Sequence, residues 1–122
     1  MKDLTKPFGS MMGTSQYYMH PIMQQVLYTD GMKDMCEKLE CYWILDVIAS
    51  YQIKSSSVSS VPYQTWRIEA NNAKAIVACY DCPTGNPIVT QNIDSTTLPD
   101  GKIVCVCVYD GKTRIIALPI EG

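Results

Sequence analysis

The chain has 122 residues, 47% of them apolar and 18% charged, and a net charge of −2. That length fits one domain and the composition is globular, far from the disordered class. The basic side chains are scattered singly, which argues against a nucleic-acid partner, and no run approaches the ~20 apolar residues of a membrane span.

In chain order, residues 1–16 are rich in Gly, Ser and Met, lack periodicity and read as an arm. Lys2 and Lys6 are followed by no apolar core, so the start is not a secretory signal and a cytoplasmic protein is expected. From Gln16 the pattern tightens. Pro21 suits the first turn of a short helix with Ile22, Val26 and Leu27 as its buried edge. Thr29-Asp30-Gly31 punctuates the chain, with Asp30 as an N-cap and Asp34 in the first turns of a helix whose stripe is Met32, Met35, Cys36 and Leu39. Residues 41–51 follow as a second helix. Cys41, Ile44, Leu45 and Ile48 form one face and Tyr42, Trp43 and Val47 cover most of the rest, the mark of a central, buried helix. Lys54 to Pro62, KSSSVSSVP, reads as a mobile Ser-rich linker.

Beyond it the period changes to two. Gln64, Trp66, Ile68 and Ala70 alternate with Tyr63, Thr65, Arg67 and Glu69. Asn71-Asn72 marks a turn, and AKAIVACYD, IVTQNID, KIVCVCVYD and TRIIALP read as further strands, the last two joined at Asp110-Gly111. The expected fold class is α+β: two or three N-terminal helices packed on a C-terminal antiparallel β-meander of about four to five strands. The expected organisation is a single domain over 1–122, with an arm (1–16), a helical half (17–52), a Ser-rich linker (53–62) and an antiparallel sheet (63–119).

Six cysteines invite a zinc reading, since Cys79-Tyr80-Asp81-Cys82 is followed by Cys105-Val106-Cys107. Cys105 and Cys107 lie two apart in a strand, however, and so share one face. The absence of an export signal argues against disulfides involving these residues or Cys36 and Cys41. Reduced thiols filling the core as small hydrophobes are expected, with no metal and no cofactor.

His20 is the sole histidine. Asp46 is its obvious partner, an acid on a helix otherwise committed to the core, where it must be paired, hydrogen-bonded or neutral. In one explanation Asp46 accepts a hydrogen bond from His20, a Tyr hydroxyl or backbone N–H groups and pins the N-terminal arm. In the other, the two face a cleft and do acid–base chemistry. The tether is preferred, because Ser10 and Ser50 lack the setting of an exposed catalytic serine and Gly9–Thr14 lacks that of a nucleotide loop. Tyr17, Tyr18, Tyr42, Trp43, Tyr51, Tyr63 and Trp66 suit an aromatic binding surface; for Trp43 and Trp66 a core contact between helix and sheet is the preferred reading.

Gly13-Thr14 before Tyr17-Tyr18 and His20, the turn Leu27-Tyr28-Thr29-Asp30-Gly31 and the run from Tyr42 to Gln52 together resemble an uncharacterised family of small bacterial and phage proteins. Gln64 to Ile68, Val89 to Ile93 and Ile115 to Pro119 fit the same pattern, so the likeness spans about Gly9 to Pro119. The resemblance leads us to expect Arg where Met19 stands, a small residue where Cys41 stands, and no second thiol at Cys82. The resemblance implies a bacterial or mobile-element setting and no catalytic residues.

Three functional expectations follow. The first is a non-enzymatic phage or mobile-element protein that binds a host or phage protein, in the sharpest form an inhibitor of a defence system such as CRISPR interference; mild acidity suits competition for surfaces that bind nucleic acid. The second is an oligomeric protein that binds or sequesters a small ligand or nucleotide, using Tyr17, Tyr18, Trp66 and Arg67 or Arg114. The third is an enzyme built on His20 and Asp46. The candidate binding residues are Tyr17, Tyr18, His20, Asp46, Trp66 and Arg67; no catalytic residue is assigned, no membrane is expected as a partner, and a homo-oligomer is a further partner class.

Overall fold

The structure, a computed structural model, describes residues 1–5, 16–82 and 85–119. In chain order these form β1 (Tyr17–Met19), β2 (Val26–Thr29), α1 (Asp30–Leu39), α2 (Trp43–Lys54), α3 (Ser56–Ser59), β3 (Tyr63–Asn71), β4 (Lys74–Tyr80), β5 (Val89–Ile93), β6 (Gly101–Tyr109) and β7 (Arg114–Ala117). Among the described residues the strands make one seven-stranded sheet in the order β1-β2-β7-β6-β3-β4-β5. All neighbours are antiparallel except β2 and β7, which run parallel.

This corrects the expected fold class. The helices stand in the middle of the chain, and the sheet is mixed and larger than a C-terminal meander. Residues 17–29, expected as part of a helical half, are two strands. Tyr17, Tyr18, Val26, Tyr28 and Thr29 are aromatic or β-branched and fit a pleated surface, and Pro21 drives the preceding residue toward extended backbone rather than opening a helix. The Lys54–Pro62 stretch is not a free linker either. Ser55 caps α3 by accepting a hydrogen bond from the Val58 N–H, and Val58 is fully buried.

The remaining strands lie where the period-two pattern puts them. In β3, Gln64, Trp66, Ile68 and Ala70 are buried while Tyr63, Arg67 and Glu69 are exposed. The β3–β4 connection is a two-residue turn with Asn72 and Ala73 both at positive φ, 54° and 62°. That is the backbone of the hairpin turn whose twist matches the flanking strands, with Ala73 where Gly is favoured. The helical stripes also hold: Met32, Met35 and Cys36 of α1 and Ile44, Leu45, Ile48 and Ala49 of α2 are buried. Thr29, not Asp30, caps α1, its Oγ1 accepting from the Met32 N–H at 3.3 Å. Glu40 ends that helix at φ 53°.

All three helices contribute to the core shared with the inner face of the sheet, which includes Trp66, Ile68, Val77, Cys79, Ile103, Cys105, Cys107 and Ile116. Ala78, Val106 and Ala117, on the opposite face, are buried yet stand outside that core. Among the described residues no helix covers this outer face. Of the expected arm, residues 6–15, with Ser10 and the Gly9–Thr14 segment, lie outside the described residues, as do residues 83–84 of the Cys82 turn. Residues 1–5 are described, and Asp3 bridges Lys102 in parallel with Leu4 buried. Gly101 permits that approach, since a Cβ there would come within 2.7 Å of both the Leu4 side chain and the Lys2 carbonyl.

Candidate functional site

His20 follows β1 and opens the loop that returns the chain to β2. Its ring is 2% exposed. Nδ1 accepts from the backbone N–H groups of Ile22 at 3.2 Å and Met23 at 3.1 Å. A nitrogen that accepts two N–H groups carries no proton of its own, so the proton sits on Nε2 and is donated to Asp46 Oδ1 at 2.7 Å. The His20 N–H reaches the Val26 carbonyl at 2.9 Å, and the Val26 N–H the Met23 carbonyl at 2.9 Å. The loop is therefore wound around the imidazole, and the imidazole is anchored to α2. Both ring nitrogens are engaged and the ring is buried, so His20 offers no lone pair to a substrate. Asp46 differs from expectation in one respect: it projects from the outer side of α2 and its side chain is 67% exposed.

The other expected site residues part company. Tyr18 lies on the helix side of the sheet, stacked on Tyr28 with ring centroids 5.7 Å apart and with the Lys33 ammonium 5.3 Å from its own ring. Its neighbour Tyr17 points the other way, as the alternation of a strand requires. Arg67 is exposed on the outer face, 3.9 Å from Glu69. Trp66 is fully buried and meets Tyr51, with centroids 5.7 Å apart. Its role is in the core, and the aromatic ring recorded against it comes from Tyr51 rather than the expected Trp43. Of the six candidates, the structure joins only His20 and Asp46 directly.

Beneath α2 and α3 lies a polar knot. Gln64 is fully buried. Its Oε1 accepts from Gln52 Nε2 at 2.8 Å and Trp66 Nε1 at 3.0 Å. The two hydrogens of its Nε2 are shared among Gln52 Oε1, the Val58 carbonyl and the Val61 carbonyl, at 2.8–3.0 Å. Arg114 completes the clamp, giving Nη1–H to the Val61 carbonyl at 3.0 Å and Nη2–H to the Ser59 carbonyl. Its guanidinium lies 4.7 Å from the Tyr109 ring centroid.

An open cleft of about 940 Å³ sits where the His20 loop, the end of α2, α3 and the β6–β7 hairpin meet. Ile22 and Ile53 in its lining are 81% and 72% exposed. Of the cleft residues, sequence reasoning had named only Arg114 as a binding residue and had placed Ile22 in a buried helix edge. The legible signal was an isoleucine beside Pro21 and ahead of Gln24-Gln25, a poor context for a core position.

Five of the six thiols are buried; Cys82 is exposed. Burial pushes the Cys79 and Cys107 thiols up to about 12. A hydrogen bond with Cys41, then burial, raises Cys36. Cys79 and Cys105 both pair with Trp66, from opposite sides of β3. Two interstrand spacings, about 10 Å, therefore separate them, too far for one tetrahedral ion. Among the described residues no helix is long and apolar enough to cross a membrane.

The chain matches no curated protein and no solved structure. A family model does match, over residues 2–122, and the chain therefore belongs to DUF6876, a family of unknown function.

Proposed function

We propose that this protein acts by binding another protein, without chemistry of its own, and that the outer face of the sheet, which no helix covers among the described residues, is the recognition surface. One observation carries this. Across β2, β7, β6 and β3 the outer side carries a row in register, half-buried Leu27, Ile115 and Val108 running to exposed Tyr63, with Thr65 beside it. Tyr63 is 52% exposed at its rim, and Met19 and Tyr17 extend it along β1. A Tyr-rimmed apolar patch is the composition of an interface core and its anchors. Arg67 and Glu69 offset one another on the same face, so the matching partner surface is apolar at its centre and near neutral at its rim. A host protein, in the sharpest form a component of a defence system such as CRISPR interference, is the partner class we favour.

The test uses two outer-face changes, Tyr63→Glu and Ile115→Glu, in the full chain. A partner bound by the native protein and lost on both changes, with melting temperature maintained, supports the reading. A partner retained by both variants contradicts it. A homodimer that dissociates in the same variants, with no second protein bound, would assign the face to self-association and favour the sequestering alternative.

A further inference from the structure

The cleft beside the His20 loop has a chemistry distinct from the outer face. Among the described residues its lining holds two cations, Lys112 and Arg114, and no carboxylate, in a chain whose net charge is −2. Both donors of Arg114 that are engaged go to neutral backbone carbonyls, so its charge is not neutralised by those contacts. The hairpin acid Asp110 is exposed, and its Oδ1 is committed to its own turn, accepting from the backbone N–H groups of Lys112 at 2.9 Å and Thr113 at 2.7 Å. Beside the cations stand Ile22 and Ile53, both exposed, with Met23 half-buried against the core. A cleft with a cationic end and an exposed aliphatic lining matches an amphipathic anion.

We propose that the cleft takes the C-terminus of a peptide, with the free carboxylate at Lys112 and Arg114 and apolar terminal side chains against Ile22 and Ile53. A single carboxylate suits the supply of donors better than a phosphate dianion. A phosphate site is built from convergent backbone N–H groups, and here those of Lys112 and Thr113 are already given to Asp110. The exposed amides of Gln24 and Gln25 on the same loop can both donate and accept, as a peptide backbone requires. A cleft that is open rather than tunnel-like also suits an extended chain with polar flanks. The surface is separate from the outer sheet face, so the two proposals stand or fall independently.

The test passes two pools of short peptides, with randomised C-terminal residues, over the immobilised full-length protein. One pool ends in free acids and the other in amides. The expected result is retention of apolar-ended acids about tenfold or more above the matching amides, equivalent to one decade in affinity. That preference should vanish in Lys112→Glu and Ile53→Asp, both at exposed positions and both checked for native melting. Backbone signals of Ile22, Ile53 and Lys112 in the native protein should shift on adding a retained acid. Equal retention of acids and amides would overturn the proposal, as would an acid preference that survives both substitutions. Octanoate binding without peptide retention would also overturn it, assigning the cleft to free acyl acids.

Discussion

At the scale of single residues, the account rests on His20 being a structural clamp with its proton on Nε2. Asp46 completes the clamp from an exposed position, so water can replace it in part. Asp46→Ala is expected to cost about 1 kcal/mol, by leaving the buried Nε2–H poorly partnered. His20→Ala should cost more, about 2–3 kcal/mol, because two loop N–H groups also lose their acceptor. Denaturant titration of both variants checks the order, and nitrogen-15 NMR of the imidazole checks the tautomer. No loss in Asp46→Ala would contradict the tether. The thiols allow a second check at this scale. Burial holds Cys79, Cys105 and Cys107 in the thiol form, and reactivity follows the thiolate and its exposure. An alkylating reagent should label Cys82 first in the folded protein, read by mass spectrometry, and the other five only on unfolding.

At the scale of elements, the segment between α2 and β3 is held by one buried amide. Gln64→Ala would strip partners from Trp66 Nε1–H and from the Val58 and Val61 carbonyls. A loss of about 3 kcal/mol or more is expected, read by denaturant titration. The opposite sign is expected at the β3–β4 turn. Ala73 occupies left-handed backbone at φ 62°, where a side chain costs about 1–2 kcal/mol; Ala73→Gly should therefore stabilise by about 0.5–1 kcal/mol after the added chain entropy of Gly. The same elements show what the sequence could and could not disclose. Period-two alternation placed β3, whose one face is buried, and turn signals bounded the runs that became β4 to β7. Helical spacing placed the stripes of α1 and α2. The short β1 and β2 escaped, since three or four residues are too few for a period to appear, and Pro21 was open to a helical reading. Val58 was the only apolar residue inside KSSSVSS, and its burial depends on Gln64 and Arg114, remote positions that no local pattern links to it. The His20–Asp46 pairing was read from a lone acid on an apolar helix, yet Asp46 is exposed and the group that demands the partner is the buried imidazole.

At the scale of the whole molecule, one sheet face is committed to the helices and the other stands bare of them among the described residues. Local patterning shows that a strand has two faces. It does not show which face three helices will choose, so the open side emerged only with the strand order, and with the parallel pairing of β2 and β7 that closes the inner face. The cleft is likewise a product of assembly, since the His20 loop, α2, α3 and the β6–β7 hairpin meet there from distant parts of the chain. The most direct measurement compares capture of a host protein by the native chain with capture by Tyr63→Glu and Ile115→Glu, with the mass of each eluted species determined by light scattering. A defined complex with the native chain and none with either folded variant is expected. An undiminished complex in both would place recognition elsewhere and contradict the assignment of the outer face.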